Sequence, residues 1–105
     1  MTKSSHFARA SKDGNHDEIV RRFRQLGCSV LETIKTGIPG FPDCVVGCVG
    51  KTYLVEIKDP HTRYGRAGLN ANQTAFAQDW RGGKLFVVTS EDEATALVQN
   101  WRRSA

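Results

Sequence analysis

The sequence predicts one α/β domain, a mixed four-stranded sheet flanked by helices, with elements in the order α-β-β-β-α-β-α. Three observations lead there. Apolar residues recur at helical spacing near both ends of the chain, and the segments between them are rich in β-formers. Val49-Gly50 separates two such β-rich runs, which is a hairpin signal. The chain has 105 residues, 39% of them apolar, and folding at this size buries roughly 60–70% of the unfolded chain's surface, enough for one core.

Each element has its own warrant. The tail 1–14 carries Lys3, Arg9 and Lys12 among serines and a glycine and reads as a flexible basic arm, leaving 15–105 as the domain. Ile19, Val20, Phe23 and Leu26 form the apolar stripe of a first helix opened by Asn15 and stopped by Gly27, with Arg21, Arg22 and Arg24 off that face. Residues 28–35 are β-rich, and 36–42 form a loop punctuated by Gly and Pro. Strands follow over 43–48 and 51–58, then a polar, basic loop over 59–69. A second helix fits 71–81, between Asn70 and the Gly82-Gly83 pair, and an apolar strand fits 84–89. Ser90 and Glu93 form a capping box for a last helix from Glu91 to about Arg102, whose Ala94, Leu97, Val98 and Trp101 face the core. Trp80 reads as a core residue too.

Charge and cysteine usage narrow the setting. The net charge is +4 and the pI is near 9.2, a balance that suits an anionic partner. No run approaches the ~20 apolar residues of a membrane span, and the N-terminus lacks an apolar signal region, so a cytoplasmic protein without a membrane partner is expected. Cys44 and Cys48, four apart on a strand, would stand ~13 Å apart. That separation is too great for a disulfide or for one shared zinc ion. With Cys28 they read as buried thiols in a reducing compartment.

Strand parity carries the chemistry. Glu56 and Lys58 share a sheet face with Thr52 and Leu54. A two-residue turn at Val49-Gly50 sets Cys48 opposite Lys51, and the same register sets Asp43 opposite Glu56. Valine is a poor residue at the positive φ of such a turn. A four-residue loop over 47–50 is the alternative, and it makes Glu56 the same-face diagonal neighbour of Asp43 at ~7–8 Å. Both registers crowd two carboxylates on one face, which is tolerable if a cation sits between them or one stays protonated. Two carboxylates plus a backbone carbonyl make a hard oxygen site for Mg²⁺ or Mn²⁺, and Lys58 reaches the same spot.

Gly37-Ile-Pro-Gly-Phe-Pro42-Asp43, followed after a hairpin by Glu56-Ile57-Lys58, resembles the PD-(D/E)XK nuclease superfamily, and more narrowly the small stand-alone VRR-NUC domains often found in phages. The likeness spans roughly residues 13–98. It extends to Asp13-Gly-Asn-His-Asp-Glu18 in the first helix and to Leu69-Asn-Ala-Asn-Gln73 at the opening of the second. The resemblance implies a restriction-endonuclease-like core and a nuclease that hydrolyses phosphodiesters with one or two divalent ions, leaving a 5′-phosphate and a 3′-hydroxyl. It implies that Asp43, Glu56 and the Ile57 carbonyl hold the metal, with Lys58 near the attacking water. Glu18 would approach the metal from the first helix, and Gln73 would support Lys58 or the scissile phosphate. Asn15 with Glu18, and Asn70 with Gln73, also match capping boxes, so a structural reading of Glu18 and Gln73 stays open beside the catalytic one.

The expected partner is DNA. Arg63, Tyr64 and Arg66, in the loop after Lys58, are placed to grip phosphates and stack on a base, and Lys35 and Arg22 are further candidate phosphate contacts. No base-reading motif is present, so selectivity for DNA structure, such as a branch, flap or junction, is expected over selectivity for sequence. A homodimer would present two sites and cut both strands. Three rivals fit the same residues: a binding module of this fold that does not cut, a nuclease subunit that needs a partner chain and, more remotely, a metal-dependent hydrolase of small phosphoesters. His6, His16 and His61 show no metal-ligand spacing and read as structural or solvated.

Overall fold

The computed structural model describes residues 13–105, so the basic arm lies outside the described residues apart from Asp13 and Gly14. The elements are α1 (His16–Gln25), β1 (Ser29–Glu32), β2 (Cys44–Cys48), β3 (Lys51–Ile57), α2 (Arg63–Arg66), α3 (Ala71–Asp79), β4 (Leu85–Val88) and α4 (Glu91–Arg103). Strands lie side by side in the order β1-β2-β3-β4. The first three run antiparallel and β4 runs parallel to β3, so the sheet is mixed, as the sequence predicts. The short helix α2 has no counterpart in the sequence reading. It is one turn long, carries no apolar stripe, and is opened by Thr62, whose side chain accepts from Gly65 N. Among the described residues no helix is long and apolar enough to cross a membrane.

The β2–β3 hairpin takes the two-residue turn. Cys48 pairs with Lys51 and Cys44 with Val55, while Val49 and Gly50 have φ of 48° and 79°. Valine therefore occupies a left-handed position that a branched Cβ disfavours, at a cost of about 1–3 kcal/mol. Val49 is also exposed, so nothing packed against its side chain offsets that cost. Val49→Asn, the residue this turn type favours, is expected to stabilise the protein by about 1 kcal/mol. Thermal unfolding would read this as a rise of about 4–8 °C.

One face of the sheet holds the core. Ile19, Val20 and Phe23 of α1 and Ala94, Val98 and Trp101 of α4 bury against Cys44, Val46, Val55, Ile57 and Val88. Trp101 is the centre of an aromatic cluster, stacked on Tyr53 at 3.8 Å and edge-on to Phe86. All three cysteines are buried and free. Burial pushes the Cys28 and Cys44 thiols up to about 12, so they are inert as nucleophiles.

The other face is thinly covered. Leu31, Val45, Leu54 and Leu85 pair in one row across all four strands, and Leu31 and Val87 stay exposed. Helix α3 fully buries none of its residues. Trp80, expected in the core, is 46% exposed and stacks on Phe76 instead, because it caps α3 on this open side. This face also carries Glu56 and Lys58.

Candidate active site

The end of the hairpin brings the sequence-predicted residues together. Continuing the β2–β3 register one step past Cys44 and Val55 places Asp43 opposite Glu56. Asp43 Oδ2 accepts from Ile57 N at 2.9 Å, which pins the carboxylate to the last residue of β3. Thr33 holds the preceding loop in place, its N–H donating to Asp43 O and its hydroxyl to Pro42 O, both at 2.7 Å. Position 43 therefore follows from the register of a tight turn and from a loop tied at both strands.

Glu56 is 3% exposed and Lys58, just past β3, is 9% exposed, so two ionisable groups are withdrawn from water. Lys58 Nζ lies 3.4 Å from Glu56 Oε2. Gln73 bridges the two: its Nε2 donates to Glu56 Oε2 at 2.9 Å and its Oε1 accepts from Lys58 Nζ at 2.9 Å. The same Oε1 accepts from Asn70 N, and Asn70 Oδ1 accepts from Gln73 N, which completes the capping box of α3. Gln73 is thus helix cap and site residue at once, and the start of α3 and the Lys58 ammonium hold each other in place. Gly40 makes this approach possible. It has φ of +77°, and a Cβ there would lie 2.1 Å from Asn72 O, so only glycine lets the 36–42 loop sit against the first turn of α3.

The electrostatics of the pair are one-sided. Burial is the largest cause raising the Glu56 carboxyl to about 8, and the Asp43 charge adds to it against the pull of Lys58. Burial also raises Asp43, opposed by its bond from Ile57 N. The two carboxyls lie close enough to share a proton. Glu56 Oε1 is buried and receives no hydrogen bond. A buried carboxyl oxygen without a donor, on a group beside a second carboxyl, is relieved by a proton or by a cation. The donor set therefore fits a hard divalent cation: oxygen atoms of Asp43 and Glu56, with the Ile57 carbonyl as the third sequence-predicted ligand.

Other expected residues lie elsewhere. Glu18 is exposed and lines a cleft of about 510 Å³ with Asn15, Arg22, Asp59, Thr89 and Ser90. No hydrogen bond or ion pair of the described residues joins it to Asp43 or Glu56. The Asn15–Glu18 capping box does not form, because Asn15 makes no side-chain cap. Its Nδ2 donates instead to Lys58 O and Thr89 O, both at 3.0 Å, tying α1 to the ends of β3 and β4. The Ser90–Glu93 box is half formed: Ser90 accepts from Glu93 N, but Glu93 reaches past Ser90 to Thr89. Arg22 is committed to α4, bonding Thr95 Oγ1 and pairing with Glu91. Lys35, Arg63 and Arg66 are exposed, and Tyr64 is 87% exposed on α2. Gly65 seats that helix directly on the Asp59 backbone, where a Cβ would lie 1.7 Å from Asp59 O. Tyr64 is therefore presented from a rigid base only six residues past Lys58.

His16, read from sequence as structural or solvated, is 1% exposed and bonds Glu32. The signal that marks it is tertiary, since neither residue has ligand spacing in the chain. Comparison of the chain with protein-family models, curated proteins and solved structures finds no match.

Proposed function

We propose that the protein is a Mg²⁺- or Mn²⁺-dependent endonuclease hydrolysing DNA phosphodiester bonds, built on a restriction-endonuclease-like core of the PD-(D/E)XK type and similar to VRR-NUC domains. The observation that carries the reading is the buried Glu56 oxygen without a donor, set against Asp43 and next to a buried lysine. A structural ion pair would satisfy its carboxylate, whereas this one leaves one oxygen without a donor and holds an ammonium at the other.

The bound ion supplies Lewis-acid polarisation of a phosphoryl oxygen and activation of water. The chain's own residues do the rest. Asp43 and Glu56 would hold the ion. Lys58, held by Gln73 Oε1, holds the nucleophilic water and offsets the charge that develops on the phosphoryl oxygens. Gln73 keeps Lys58 from collapsing fully onto Glu56 by engaging both.

Lys35, Arg63 and Arg66 supply salt-sensitive, sequence-blind affinity for phosphates, and Tyr64 offers a stacking surface for a base. Selectivity is for DNA structure: flaps, branches or junctions. The exposed Leu31 and Val87, beside the half-buried Val45, Leu54 and Leu85, favour a homodimer as the working form, in the cytoplasm of a bacterial or phage-infected cell.

The test is cleavage of single-stranded, duplex, flapped and four-way-junction DNA in EDTA, Mg²⁺ and Mn²⁺, across a range of protein concentration. Cutting is expected only with metal, to rise more than linearly with protein, and to vanish in Asp43→Ala and Lys58→Ala. Binding without cutting at every concentration would leave a non-catalytic binding module.

A further inference from the structure

At the far end of β3 from Lys58, the chain between α3 and β4 frames a groove of about 440 Å³. Lys51, Trp80, Lys84 and Phe86 are among its lining residues, and none of those residues is a carboxylate. The cleft beside Glu18 differs, because Asp59, Glu91 and Asp92 line it too. A phosphate is repelled by that cleft and attracted to the groove.

Trp80 is built into the groove. Its N–H donates to Phe76 O at 3.0 Å, closing α3, and its ring stacks on Phe76 at 5.5 Å. Phe76 meets Phe41 edge-on at 5.4 Å. A row of three rings therefore runs from the loop that leads into Asp43 to the groove. Gly82 passes so close that a Cβ there would lie 2.5 Å from Trp80 Nε1. Glycine thus lets the chain turn against the indole edge, while Trp80 stays 46% exposed. Lys84 Nζ is held in the same wall, 5.1 Å from the centre of the Phe86 ring.

An exposed indole with two lysines in one groove suits a single strand of nucleic acid. Every base has a π face to stack on the indole, and the lysines take the flanking phosphates. A paired base hides that face in the duplex, so the strand must be unpaired here. The β3 part of the groove, Lys51–Leu54, lies roughly 10–20 Å from Ile57 at ~3.3 Å per residue. At ~3.4 Å per nucleotide that is roughly three to six nucleotides.

We propose that this groove binds an unpaired stretch of the DNA strand, one base stacked on Trp80 and its phosphates on Lys51 and Lys84, roughly three to six nucleotides from the phosphate held at Lys58. The assignment rests on the nuclease reading and deepens it, because it makes the single-stranded arm of a flapped or branched substrate the feature that is recognised.

Tryptophan fluorescence of the full-length protein, titrated with a short oligothymidylate in EDTA, reads the groove without metal or cleavage. Trp101 is 4% exposed, so Trp80 carries the quenchable signal. Oligothymidylate is expected to quench the wild type and a blunt duplex of equal length to quench it far less. Trp80→Phe should abolish the quenching and keep most of the affinity. Trp80→Ala should weaken binding of a labelled oligothymidylate by about 10-fold. Lys51→Ala and Lys84→Ala, both at exposed positions, should each reduce the salt dependence of binding by about 0.7 in slope. Equal quenching by duplex, or an affinity unchanged in Trp80→Ala, overturns the groove assignment; cleavage by the wild type then leaves the nuclease reading intact. Quenching in a protein that cuts nothing keeps the groove and removes the catalytic reading. A Trp80 emission that shifts to the blue with protein concentration alone would give the groove to a second copy of the chain and overturn the assignment as well.

Discussion

Asp43→Asn is expected to lower metal-dependent cleavage by about 10³-fold or more while making the metal-free protein more stable, by about 1–2 kcal/mol. The two effects have one origin. Without metal, Asp43 and Glu56 repel above about pH 8, where Glu56 ionises, across a register that forces them together, and the Asp43 charge is the second cause raising Glu56; the stability comparison is therefore read at pH 8.5. Asparagine keeps the oxygen that accepts from Ile57 N and removes the charge. Lys58→Met should behave in the opposite way in its second effect: cleavage is lost, but stability falls, because the ammonium beside Glu56 is the cation that offsets its buried charge. Melting curves in EDTA beside cleavage assays in Mg²⁺ give the four signs. A stabilised but inactive Asp43→Asn is the signature of a site held at the expense of stability. If that variant melted lower in EDTA, Asp43 would be a structural turn residue and the pair no metal site.

Much of this site is legible in the chain because it is assembled by local geometry. Asp43, Glu56 and Lys58 come together through strand alternation and the length of one turn, both readable from Pro42-Asp43, Val49-Gly50 and Glu56-x-Lys58. The turn itself is less so: valine argues against the two-residue form, and the hairpin adopts it nonetheless, since paired strands on both sides fix the register over five residue pairs. Gln73 is legible as a helix cap from Asn70-x-x-Gln73, yet its second role depends on α3 docking beside Lys58, which Gly40 permits. Residues whose placement depends on helix orientation are not legible. Asn15 leaves its cap to bridge β3 and β4, and Glu18 lines a cleft beside it. Trp80 has the composition of a core residue but lies on a helix that fully buries none of its residues.

The metal-free protein is expected to lose stability as pH rises from about 4.5 to about 8, and a divalent ion to restore it. Glu56 is the group responsible. Its ordinary value of 4.5 is raised to about 8 in the fold, so the folded protein holds this proton more tightly than the unfolded chain. Below pH 4.5 both forms carry the proton and this group imposes no penalty. Between 4.5 and 8 the unfolded chain releases the proton while the fold retains it, so stability falls; above 8 the penalty is complete, on the order of a few kcal/mol. Lys58 and Gln73 soften the cost without removing it, because the second oxygen stays without a donor. A divalent ion competes with the proton for the same carboxylates. Its binding should therefore tighten as pH rises towards 8, and a concentration of about 100 times Kd should add about 2.7 kcal/mol. Thermal unfolding at pH 5, 7 and 8.5, with EDTA or Mn²⁺, measures the effect. The gap between the EDTA and Mn²⁺ curves is expected to widen with pH in the wild type and to close in Glu56→Gln, which has no proton to release. A gap that is the same at all three values would mean that the ion does not displace the Glu56 proton.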